Sequence, residues 1–195
     1  MRVTQRGGGE GKNKERNMAE AVEPLRNWYA LRVFHNRAAA VSALVEKSGC
    51  ECYVPMKTVE RTTRAGRTTV KQPIIPSLLF VRSEKSYVED IRKHPAGSVS
   101  VYCLPGTKDP AAISDEEMRM FIFVTTVGSR NLEAVDPALA KGDRVRITGG
   151  VFRGAEGYIA RIRNAKRLIV AIEGVAAVAT SYIPKDFIEK IEEYC

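Results

Sequence analysis

No apolar run in this chain approaches the roughly 20 residues that a helix needs to cross a bilayer. The opening segment, MRVTQRGGGEGKNKERN, is basic but has no apolar stretch behind it. The first absence excludes a helical membrane anchor and the second a secretory signal, so the expectation is a cytoplasmic protein with no membrane partner. Histidine is scarce: His35 and His94 are the only two. There is also no phosphate-binding loop and no Ser/His/Asp set, so neither acid–base nor nucleophilic chemistry has a constellation to work with. The four cysteines, Cys50, Cys52, Cys103 and Cys195, offer one C-x-C pair and no second pair of ligands. That spacing is a poor match for zinc, and the thiols read as half-buried small apolar groups in a reducing compartment. The chain is expected to be a non-enzyme without metal or cofactor.

What is present describes a globular chain. Its 195 residues are 44% hydrophobic and 28% charged, enough for one ordinary domain or two small ones. A formal charge of +8 is spread along the length. Such an excess fits contact with a nucleic-acid backbone without demanding it. Residues 1–25 are rich in Gly, Lys, Glu, Arg and Asn. They hold too little apolar surface to offset the entropy of ordering, and read as a disordered basic tail. Met18 offers a second plausible start.

Ordered texture begins near Trp28. WYALRVF (28–34) alternates as a strand should, and a helix over 37–48 follows, with Asn36 able to cap it and Gly49 to end it. ECYVPM (51–56) reads as a strand stopping at Pro55. Residues 57–71 are polar and basic and pivot on Ala65-Gly66, the pattern of an extended hairpin. IIPSLLFVR (74–82) is a strongly apolar strand, 84–93 a short helix stopped at His94-Pro95, and 99–103 another strand. Ser114 with Glu117 three residues on is a capping box, ahead of an apolar face at Met118, Phe121, Ile122 and Thr125. The order β-α-β-β-β-α-β-α predicts an α+β sandwich with helices against an antiparallel sheet over 26–125.

Residues 126–138 lack periodicity and contain Gly128 and Pro137, so they read as a linker. From 139 to 195 the texture changes to short strands and tight turns. KGDRVRITGG, EGYIARIR, RLIVAIEG and VATSYIP are separated by turns at Gly149-Gly150, Asn164-Ala165 and Glu173-Gly174. Val145 and Ile147 alternate with Arg144 and Arg146, and Leu168, Val170 and Ile172 share a face. The expectation is a small, strongly bent β-barrel, marginal in stability by itself.

These segments carry a resemblance. WYALRV, CYVPM and IIPSLLFVR are similar to the N-terminal domain of the NusG family, and GDRVRITGGVFRGAEGYIARI resembles a KOW motif, so the second unit is expected to be a KOW-type SH3-like barrel. The closing IVAIEGVAAVATSYIPKDFIEKI lacks the phenylalanine-glycine-arginine run of housekeeping NusG proteins. It looks like the specialised UpxY-type antiterminators of Bacteroides-like bacteria, which act on capsular polysaccharide operons. This departure leaves Rho and ribosomal protein S10 open as partners.

The resemblance implies a monomeric transcription elongation or antitermination factor that docks on the clamp helices of the largest catalytic subunit of RNA polymerase. The matching positions are Trp28, Tyr29, Leu78, Phe80, Phe121 and Ile122. The same residues serve equally as core, because alternate residues of a strand face opposite sides. Arg61, Arg64, Arg67 and Lys71, with Lys57, suit phosphate contacts on DNA, or equally a solvated loop. His35, Asn36 and Arg37 occupy a turn that in specialised relatives faces the non-template strand. In the KOW segment, Gly149, Gly150, Gly154 and Gly157 allow turns and close strand approach, and Phe152 is a candidate exposed anchor. Arg144, Arg146, Arg153, Arg161 and Arg163 either touch nucleic acid or decorate a solvated barrel. Two other readings stay open: a housekeeping NusG aiding Rho-dependent termination, and a ribosome-associated or RNA-binding KOW protein.

Overall fold

Along Asn27–Val33 the large apolar residues point alternately to the two sides of strand β1, and both sides are buried. That double burial sets the architecture of the first domain. The computed structural model describes residues 25–34, 37–64, 66–93 and 99–191. After β1 come α1 (Ala38–Lys47), β2 (Glu51–Tyr53), β3 (Met56–Thr63), β4 (Gly66–Pro73), β5 (Leu78–Ser83) and α2 (Lys85–Lys93). Then follow β6 (Val99–Val101), β7 (Ala112–Ile113) and α3 (Asp115–Val127).

The first sheet runs β2-β5-β1-β6, with β7 also on β1, and every pairing is antiparallel. Opposite partners such as Ala30 and Phe80 fix the register. One face gathers Tyr29, Leu31, Val33, Leu79 and Val81 against Val45 of α1 and Val88 of α2. The other gathers Trp28, Ala30, Leu78 and Phe80 against Met118, Phe121 and Val124 of α3. Phe80 and Phe121 meet edge to face, with ring centroids 5.5 Å apart, an arrangement favoured by the ring quadrupoles. Because both faces are covered, β5 reads as a continuous apolar run rather than an alternating one. Pro76 and Ser77 hold the approach to β5, which starts at Leu78 and not at Ile74; Ser77 adopts a φ of 67° there.

Helix α3 starts with the predicted capping box. The Ser114 hydroxyl accepts from the Glu117 amide, and the Glu117 carboxylate accepts from the Ser114 amide. At α1 the cap position falls on Arg37, without a side-chain capping bond. Asn36, expected to cap it, lies outside the described residues, as do His35, the His94-Pro95 stop and residues 1–24 of the predicted tail.

The predicted linker is structured. Residues 126–138 contain the end of α3, strand β8 (Glu133–Val135) and the start of a 3-10 turn, Pro137–Leu139. Beyond them lie β9 (Arg144–Ile147), β10 (Glu156–Ile162), β11 (Ala165–Ile172), β12 (Ala176–Tyr182) and β13 (Ile188–Lys190). They form a six-stranded antiparallel sheet in the order β13-β9-β10-β11-β12-β8. The expected bent barrel does not close: the end strands β13 and β8 pair with β9 and β12 and not with each other. The physical reason lies in the inner face. Val145, Ile147, Leu168, Val170, Ile172 and Val178 belong to the same apolar cluster as α3 and the first sheet, so a helix covers what barrel closure would have covered. The β10–β11 turn sits at Arg163-Asn164, one residue earlier than read, with φ of 49° and 63°. No helix among the described residues is long and apolar enough to cross a membrane.

Candidate functional site

Three places concentrate the residues singled out from sequence. The first is α3, which lies between the two sheets. Its inward side meets the first sheet through Phe121 on Phe80, and through Thr125, whose hydroxyl is 2.6 Å from the Tyr53 hydroxyl. Its other side meets the second sheet. The Glu156 amide donates to the Met120 sulfur at 3.3 Å, and Gly128 sits under the Phe152 ring so closely that a Cβ there would lie 2.9 Å from it. A cleft of about 340 Å³ remains between them, lined by Ser114, Glu116, Glu117, Met120, Arg144, Glu156 and Tyr158 among others.

This placement decides what the expected docking residues can do. Trp28, Tyr29, Leu78, Phe80 and Phe121 are all buried, the most exposed at 5%. They form no open concavity in this arrangement. Ile122 alone of the six is half-buried, packed against the shared cluster. Phe152, expected as an exposed anchor, is buried beneath the end of α3. Sequence reasoning missed Gly128, Met120 and Glu156. Gly128 carried only a linker signal, and nothing in the local pattern announces a thioether facing a strand from another domain.

The second place is the β3–β4 hairpin, a two-stranded sheet in register from Met56↔Pro73 to Thr63↔Gly66. Its root is tied to the end of α3, where the Thr58 amide donates to the Ser129 carbonyl at 2.9 Å. Its outer half is exposed, including Arg61, Arg64 and Arg67, and Lys71 is exposed nearer the root; Lys57 is half-buried. The structure therefore gathers the predicted basic residues on one projection, while Arg37 stands at the start of α1.

The third place is the turn between β9 and β10. Gly150 and Gly154 have φ of 75° and 87°, where a side chain would be strained. Gly149 is required for space, since a Cβ would lie 2.7 Å from the Phe187 ring. At Gly157 a Cβ would collide with the backbone carbonyl of Ile169 on the neighbouring strand. Val151 is 71% exposed at the tip. The arginines nearby are partly committed. Arg144 and Arg146 both bind Glu156, at 3.2 and 2.8 Å, and Arg163 shares Glu133 with Arg167. Arg153 and Arg161 are exposed.

The thiols do not make a fourth site. Burial raises the Cys50 pKa above its ordinary value. Burial raises Cys52 as well; a hydrogen bond with Ser42 opposes the shift and the Glu46 carboxylate adds to it. Both thiols therefore stay protonated at neutral pH, the weak form for ligation or attack.

The family model described as transcription termination factor nusG matches residues 26–122. The match runs from β1 into α3 and so takes in the first sheet, all three helices in whole or part, and the basic hairpin. It is a family of transcription factors rather than enzymes. Over those residues the first domain of this chain is similar to the NusG family.

Proposed function

We propose that this chain is a transcription elongation and antitermination factor that binds RNA polymerase and suppresses pausing or termination. The observation that carries the reading is the family match over the whole first sheet and its hairpin. The finer assignment, a specialised factor of the UpxY type serving one operon such as capsular polysaccharide synthesis, draws on the closing segment. That segment, IVAIEGVAAVATSYIPKDFIEKI, lacks the phenylalanine-glycine-arginine run of housekeeping relatives. The second sheet is read as a KOW unit from the Gly-rich β9–β10 turn.

The mechanism is mechanical. A factor that grips the clamp helices favours the elongating conformation over the paused one by binding it more tightly, and shifts the population by that difference in affinity. Among the expected docking residues only Ile122 has exposed surface in this arrangement, beside a helix that carries the second sheet. A docking surface around α3 therefore becomes available as the second sheet leaves that helix. The hairpin, tied to the same helix at Thr58, projects away from the shared core and supplies the cations for nearby nucleic acid.

The test is single-round transcription through the leader of the chain's own operon, paired with a pull-down of core polymerase. Capture of polymerase and a several-fold rise in full-length transcript are expected. Earlier release of transcripts on adding Rho would move the reading to a housekeeping factor. Failure to capture polymerase, with ribosomal RNA retained instead, would move it to an RNA-binding KOW protein.

A further inference from the structure

Two methionines of α3 stand two residues apart and meet opposite surroundings. At 3.6 residues per turn their side chains leave the helix roughly 200° apart. Met118 is fully buried at 0% exposure, in the cluster that holds Phe121 and Phe80. Met120 is half-buried and meets the second sheet. Its sulfur accepts the Glu156 amide at 3.3 Å, so a thioether ties α3 to β10. Sulfur is a weak acceptor for such a bond, and it is also the one atom of this seam that a mild oxidant alters.

Met120 also lines the cleft of about 340 Å³ between α3 and the second sheet, with Ser114, Glu116, Glu117, Arg144 and Glu156. That space is many times the ~30 Å³ share of one water, so solvent and a small peroxide reach the sulfur. A thioether keeps two lone pairs. One is covered by the amide it accepts, and the other is left to the cleft. Attack by that pair on hydrogen peroxide forms the S–O bond and breaks the O–O bond. Sulfur loses two electrons, the oxygen bound to it gives up its proton, and the departing hydroxide takes that proton and leaves as water. The product is a sulfoxide, polar where the thioether was apolar. Its oxygen enters a cleft already holding the carboxylates of Glu116, Glu117 and Glu156, whose charge opposes the negative end of the S–O dipole. Arg144, the cation beside them, is committed to Glu156 at 3.2 Å.

We propose that Met120 is an oxidation site, at which a peroxide converts the thioether to its sulfoxide and loosens the second sheet from α3. The change is reversible, because dedicated reductases return methionine sulfoxide to the thioether. A gain in polymerase contact on loosening rests on the docking reading given above; the oxidation and the loosening do not.

The test treats the full chain with dilute hydrogen peroxide, removes the excess and digests part of each sample to completion with trypsin for mass spectrometry. Cleavage after Arg119 puts Met118 and Met120 on separate peptides, so the gain of one oxygen is read at each by itself. Met120 should oxidise several-fold faster than Met118. Limited proteolysis of the folded remainder should then cut the second sheet several-fold faster than before peroxide. Met120→Leu, close in volume and unable to take up oxygen, should keep its resistance through the same treatment, although Met56 and the thiols meet the same oxidant. Met120→Gln, polar from the start, should be cut faster without peroxide. Methionine sulfoxide reductase should restore the resistance of the oxidised wild type. The idea is overturned if Met120 oxidises no faster than Met118, if the oxidised chain resists proteolysis as the untreated one does, or if Met120→Leu loosens equally under peroxide. A polymerase pull-down with the same samples reads docking separately: loosening without added capture would count against the docking reading and leave the oxidation of Met120 standing.

Discussion

The first sheet is covered on one face by α1 and α2 and on the other by α3, all from its own domain. The second sheet has one face packed with Val135 of its own edge strand β8 and with Ala140 after the 3-10 turn, while its inner face shares an apolar cluster with α3. One sheet is self-sufficient and the other borrows. A helix with both sides occupied is a joint, and whatever acts on α3 acts on both domains. The difference also accounts for the open second sheet: six strands carrying Leu168, Val170 and Ile172 inward need a cover, and α3 is that cover.

The change that should break this comparison most completely is Phe121→Ala. Phe121 is fully buried against Phe80 and belongs to the shared cluster. Removing a buried phenylalanine ring costs about 3–5 kcal/mol. Trp28 is the sole tryptophan and sits on β1 of the first sheet, so its fluorescence follows that sheet. Urea unfolding followed by that fluorescence and by far-UV circular dichroism should show both domains weakened. A variant that left the Trp28 transition in place would deny α3 its role in the first core.

Gly128→Leu should act mainly on the borrowed side, with a smaller effect on α3 itself, because the added Cβ would also lie 2.9 Å from the Val124 carbonyl. Gly128 has a φ of −89°, which any residue adopts, so the objection is steric. A Cβ would lie 2.9 Å from the Phe152 ring, and the rest of the leucine has nowhere to go unless the second sheet moves off. Overpacking of this kind costs about 1–3 kcal/mol. The expected result is easier proteolysis within the second sheet and a Trp28 transition that falls much less than in Phe121→Ala. If both transitions fell together, the two sheets would be one cooperative unit, and the contrast between self-sufficient and borrowing sheets would fail.

The self-sufficient half was the more legible in sequence. Alternation in WYALRV, the unbroken apolar run at 78–81 and the Ser114–Glu117 box each act locally, and each landed within a residue or a few of its element. The longer strands of the second sheet were legible for the same reason, with Leu168, Val170 and Ile172 on one face as expected. What failed to show was everything decided between domains. Gly128 reads as a loop breaker until Phe152 is seen above it. Phe152 reads as an exposed anchor because a Gly-rich turn is ordinarily solvent-facing, and β8 was hidden because three residues carry no period. Trp28, Leu78 and Phe80 illustrate the same limit from the other side: apolar strand residues suit a docking groove and a core equally, and only the position of α3 shows which surface is left.

The smallest expected effect is the most discriminating about α3 as a joint. Ser114→Ala removes the hydroxyl that accepts the Glu117 amide and leaves Glu117 bonded only to the Ser114 backbone. The loss of such a cap costs about 1 kcal/mol. It acts on the helix end and touches neither sheet's apolar face directly. If α3 supports both sheets, the loosening must reach both, and the fluorescence and dichroism midpoints should shift down by similar amounts. A shift confined to the Trp28 signal would mean that the second sheet holds its shape without the first turn of α3. Its grip would then come from the rest of the helix, through Met120 on Glu156 and Gly128 against Phe152.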